Sequence, residues 1–177
     1  MAMCSLNFLI SIDSVLAIPH ANWQHQSSAS VTRWAASAVP IGAPTSTGPL
    51  VMTWTVSGGT ARQYFDIVNT GAIEITGQSF FVTNIYEKSG NAKPPIVTFD
   101  ACLNGFWRPS NNTCTGSIVL MGSTTTEFFS SLATPLAIGA RLSARATTSP
   151  GGISSYTTTI NVLVSRSQVR PGTTSNF

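Results

Sequence analysis

Charged side chains are scarce in this sequence. Nine Lys and Arg and six Asp and Glu make up 8% of 177 residues, against about a quarter in ordinary soluble domains. A coiled coil and a charge-rich disordered chain are therefore excluded. The formal charge of +3 comes from scattered arginines without a basic cluster, so the sequence carries no nucleic-acid footprint. Histidine is limited to His20 and His25. With no Gly-x-Ser-x-Gly elbow and no base beside a nucleophile, a catalytic triad has nothing to be built from. No His-Glu-x-x-His frame, paired Cys/His spacing or Asp-rich loop is present to hold a metal. No glycine motif opens a helix to cradle phosphate. Beyond residue 21 the carboxylates are Asp66, Glu74, Glu87, Asp100 and Glu127. Only Asp66 and Glu74 would meet across a hairpin, which is thin support for a glycosidase. The longest apolar stretch, residues 6–18, is too short to span a bilayer. These absences predict a non-enzymatic protein without cofactor, metal, nucleic-acid partner or membrane span.

Hydroxyls stand where charges usually do. The 23 Ser and 23 Thr, together with Asn amides, supply the polar coat, a composition that suits an extracellular β-protein. Residues 1–21, with small residues at Ala17 and Ala21, read as a signal peptide, or as an N-terminal extension contributing a strand or short helix. Of three cysteines, Cys4 lies in that segment. Cys102 and Cys114 bracket a turn-rich loop suited to a disulfide, the alternative being two buried thiols. Leader and disulfide together place the protein outside the cell, secreted or at the surface.

Residues 22–49 read as extended and irregular, punctuated by Pro40, Pro44 and Pro49. From residue 50 the hydrophobic period becomes two: Leu50, Met52, Trp54 and Val56 share one face of a strand. A strand over 62–68 puts Phe65 and Ile67 opposite Tyr64, Asp66 and Val68. The Asn69-Thr70-Gly71 turn then predicts a hairpin into 72–76, with a bulge or bend at Gly77 and a strand over 79–85. Further strands are expected at 95–101, 115–121, 124–129, 138–146 and 154–164, and at most a short helix at 130–133. Turns every eight to fifteen residues argue for a single antiparallel β-sandwich of about seven to nine strands, Ig-like or jelly-roll. The domain spans 22–164, and 165–177 form a polar tail, either a flexible end or an arm for a neighbour.

The loop between the cysteines holds the candidate contact residues Phe106, Trp107 and Arg108, since adjacent aromatics and an arginine are typical of interface hot spots. Trp107 would stack on a sugar, or one of the two aromatics would plug the end of the sandwich. Asp100 is placed to cap this loop through backbone N–H groups. Asn111-Asn112-Thr113 matches a glycosylation sequon. Arg141, Arg145, Arg166 and Arg170 form either a solvated face or a patch for an acidic partner.

The stretch from Tyr64 to Gly77, with Asn69-Thr70-Gly71 between two apolar segments, resembles the strand-turn-strand pattern of secreted bacterial Ig-like domains, including the TasA and camelysin type of surface and fibre-forming proteins. That resemblance implies a β-sandwich whose subunits join by strand exchange. Edge protection is also thin, because Lys88 and Lys93 are the only lysines. The expected function is a structural or surface protein that self-assembles by strand pairing, donating residues 22–49 or the tail to a neighbour, unless the same segments cover their own edges. The alternatives are a monomeric adhesion module for a glycan or surface protein, and a capsid-like jelly-roll subunit.

Overall fold

A computed structural model describes residues 34–45, 48–55, 59–86, 93–149 and 155–169. The leader, Cys4, His20, His25, Glu87, Lys88 and Arg170 lie outside the described residues. Among the described residues eleven strands run through the unit spanning Trp34–Phe177. They are β1 (Ala36–Pro40), β2 (Leu50–Thr55), β3 (Ala61–Asn69), β4 (Gln78–Tyr86), β5 (Val97–Leu103), β6 (Trp107–Arg108), β7 (Thr113–Cys114), β8 (Ser117–Thr124), β9 (Glu127–Leu132), β10 (Arg141–Thr148) and β11 (Ser155–Leu163). The protein is all-β and every strand pair is antiparallel. The strand count exceeds the expected seven to nine, and there are three sheets: β1-β3-β10-β5-β8, β2-β11-β4-β9 and the ribbon β6-β7.

The two larger sheets share one hydrophobic core. Phe65, Ile67, Phe99, Ala101, Leu142, Ala144 and Ala146 come from the five-stranded sheet, and Met52, Trp54, Phe80, Val82, Tyr156 and Ile160 from the four-stranded one. Trp54 stacks on Tyr156 at 5.8 Å between centroids, and Phe99 sits between Phe65 (6.4 Å) and Phe128 (5.6 Å). Each such side chain, when fully buried, contributes about 1.5–3 kcal/mol. Polar groups in this core are paired in a chain: Trp54 Nε1 donates to Thr158 Oγ1, and Thr158 Oγ1 donates to Asn84 Oδ1. Asn84 Nδ2 closes the chain on the Thr124 carbonyl, so a threonine and an asparagine stay satisfied where apolar residues are expected.

The predicted hairpin after β3 does not form. β3 and β4 belong to different sheets, and of residues 72–76 only Ile75 makes ladder bridges, to Leu136 and Val169. Asn69 explains the difference. Its Oδ1 accepts from the Gly71 N–H, while its Nδ2 donates to the carbonyls of Ile73 and Leu136. The turn thus builds an arch between sheets. At Gly77 an added Cβ would lie 2.9 Å from the Leu132 carbonyl oxygen, a close approach that requires glycine. The bulge is in β8, where the register shifts opposite Phe99 and Asp100. Residues 130–133 are not helical, since β9 runs to Leu132.

Parts of the two segments expected to reach a neighbour, 22–49 and 165–177, pair within the chain, and residues 22–33 and 170–177 lie outside the described residues. β1 pairs with β3 from Ala36↔Asn69 to Pro40↔Phe65. The start of the tail makes a 3-10 turn over Arg166–Gln168, and the Gln168 carbonyl accepts from the Thr76 N–H at 2.7 Å.

Candidate interaction surface: a disulfide-held ribbon and an open edge

Cys102 and Cys114 form a disulfide with Cα atoms 5.7 Å apart. It ties the ribbon β6-β7 to the end of β5 and folds the ribbon over the outer face of the five-stranded sheet. The base of the loop depends on glycine, since a Cβ on Gly105 would sit 2.5 Å from the Gly116 nitrogen. Asn104 and Asn112 both take the left-handed conformation at φ 55°, which lets the chain reverse at each end.

Trp107 is only 1% exposed, so it cannot stack on a sugar, nor does it plug an end between the sheets. It lies on the outer face of β10 and β3. Its backbone N–H donates to Ser143 Oγ at 3.1 Å, the Arg145 guanidinium is 4.0 Å from its ring centroid, and the Tyr64 ring centroid is 6.2 Å away. A cation over an indole face, shielded from water, is worth up to about 2 kcal/mol.

Around this tryptophan the outward polar residues close into one network. Arg145 Nη2 pairs with Asp100 Oδ2 at 2.5 Å. Arg145 Nη1 and the Tyr64 hydroxyl both donate to Asn112 Oδ1, at 2.8 and 2.9 Å. Asp100 therefore holds an arginine and not the loop backbone. Arg141 is likewise committed, to Asp66 at 3.1 Å and to the Ala43 carbonyl at 3.0 Å. These two arginines neutralise carboxylates of their own chain, and Arg166 lies in the 3-10 turn. Phe106 and Arg108 are exposed, and the Arg108 guanidinium is 5.6 Å from the Phe106 centroid.

In the sequon, Asn111 and Thr113 are exposed, and Thr113 Oγ1 donates to Asn111 Oδ1 at 2.7 Å. One phenol is perturbed: burial pushes Tyr156 above 10.0, partly offset by its hydrogen bond to Thr148. Among the described residues, no group of three or more His, Cys, Asp or Glu gathers where a metal could be held. No helix among them is long and apolar enough to cross a membrane.

The second surface feature is an edge that sequence reading did not single out. β8 closes one side of the five-stranded sheet and, among the described residues, pairs only with β5. Its sequence, SIVLMGST, contains no charge and no proline. Ile118 and Leu120 are 56% and 64% exposed. The opposite edge strand, β1, is largely buried and ends in a proline. Comparison with family models, with curated proteins and with solved structures finds no match to this chain.

Proposed function

We propose that this protein is a non-enzymatic extracellular structural or surface subunit, its two larger sheets forming a β-sandwich, that associates with copies of itself through an open sheet edge. The observation that carries this reading is β8. An exposed edge strand is a row of unpaired N–H and C=O groups, which proteins blunt with Lys, Pro, inward charges or a cover. None of the charged or proline devices occurs in Ser117–Thr124. Its bulge limits the regular edge to one side of Gly122. A strand added beside 117–120 gains main-chain hydrogen bonds and the apolar surface of Ile118 and Leu120. The strand-joining habit implied by the TasA and camelysin resemblance supports the same reading. With β1 and residues 165–169 occupied in their own chain, the pairing proposed is of edge with edge.

The test is sedimentation velocity and negative-stain microscopy of the full chain over a concentration series, beside Leu120→Lys. Wild type is expected to form concentration-dependent assemblies, and the lysine, whose side chain points to solvent in the monomer, to reduce their size with an unchanged far-UV spectrum. A size distribution unchanged by the substitution refutes the edge.

A further inference from the structure

We infer that the outer face of the four-stranded sheet is a second self-association surface, on which another copy of this chain packs face to face. The register aligns its outward residues in rows. Val51, Thr159, Thr83 and Glu127 form one row; Thr53, Thr157 and Ile85 the next; Asn161, Phe81 and Phe129 a third. Glu127 carries the only charge among the outward strand residues of this face. The remainder are hydroxyls, an amide and apolar side chains, of which Ile85 is 68% and Phe129 66% exposed. Phe81 and Phe129 are direct cross-strand partners, which gives the face an aromatic centre.

Charge and area select the occupant. A face with one carboxylate at its margin is covered with almost no desolvation of charge, and it offers nothing for an acidic or basic partner to recognise. Another copy matches it. A two-fold axis running along the strands sets β9 of one copy against β2 of the other, so the two Glu127 carboxylates lie at opposite rims. The Phe81–Phe129 pair then meets the side that carries Val51 and Leu163. Strands of six, nine, nine and six residues, at spacings of ~4.8 Å and ~3.4 Å, give a footprint of roughly 490 Å² per copy. The pair covers about 980 Å², the size of a weak, concentration-dependent dimer interface. Sheets stack this way at ~10 Å separation, as in a sandwich core, and the contact closes as an isologous dimer.

This surface is separate from β8, and the two readings fail separately. The experiment is sedimentation velocity of wild type, Phe129→Lys, Ile85→Lys and Leu120→Lys, with circular dichroism confirming the fold of each. The expected result is a dimer in wild type and in Leu120→Lys, weakened about tenfold or more in Kd by Phe129→Lys and also by Ile85→Lys. A monomer at every concentration, or dimers indifferent to Phe129→Lys and Ile85→Lys, overturns the inference. So does loss of all association in Leu120→Lys alone, which leaves only the edge. Retention of a monomeric wild type on an insoluble polysaccharide, lost in Phe129→Lys, would assign the face to a glycan and overturn it too.

Discussion

Replacing both Cys102 and Cys114 by alanine removes a cross-link between residues separated by 12 positions. In the chain-entropy description, closing a loop of that length destabilises the unfolded ensemble by about 3 kcal/mol. For a domain of this size each kcal/mol moves Tm by roughly 2–4 °C, so the double variant is expected to melt about 6–12 °C lower. The folded ribbon is expected to keep its place. Trp107 is held independently by Ser143 and Arg145, and a second ring of contacts runs through Asn112 to Tyr64 and Arg145. Differential scanning calorimetry gives the shift, and near-UV circular dichroism reports the environment of Trp107. A melting point within about 2 °C of wild type would show that loop closure contributes little. A collapsed near-UV signal in the folded variant would place the effect in the native state and refute the reasoning differently.

Two further outcomes follow from the same geometry. Arg145→Ala leaves Asp100 without its partner in a mostly covered position, and the expected loss is about 3–5 kcal/mol in urea unfolding; a loss below about 1 kcal/mol would mean that water replaces the pair at no cost. Tyr156 has its pKa raised by burial above the ordinary 10.0. Its contribution is therefore complete below that value and is lost as pH rises through the folded pKa. Stability should fall more steeply above pH 10 in wild type than in Tyr156→Phe, and equal slopes in the two proteins would rule out the phenol as the cause.

The strands of the four-stranded sheet were legible because only one of its faces is buried. Leu50, Met52 and Trp54 alternate with Val51, Thr53 and Thr55 in both sequence and burial, and Tyr156, Thr158 and Ile160 do the same in β11. The five-stranded sheet is harder to read. β3 and β5 are buried on consecutive residues, because Arg141 and Gly42 bond to outward Asp66, and the disulfide and Arg145 engage outward Cys102 and Asp100. The apparent hairpin at Asn69 was misread for a related reason. Its turn residues are right for a tight reversal, but the Asn69 amide is satisfied by Ile73 and by Leu136, which is distant in sequence. The phenylalanines of β9 alternate as a strand should, yet the short serine and leucine end reads equally well as a helix. In the ribbon, Trp107 and Phe106 look equivalent as neighbours on a turn, and a two-residue strand sends one inward and one outward.

Local composition and period were enough to dictate an all-β chain coated with hydroxyls, most of its strands, and a short turn-rich loop bracketed by Cys102 and Cys114. Those properties depend on residues a few positions apart, so they are written in the order of the chain. Which strands became neighbours was settled by contacts between distant residues. Long-range packing paired Arg145 with Asp100 and Arg141 with Asp66, buried Trp107 beneath a guanidinium, and kept β1 and the first residues of the tail on their own chain. It also left Ile118 and Leu120 at an edge and Phe81 and Phe129 on an outer face, because the space between the sheets is filled by the inward residues.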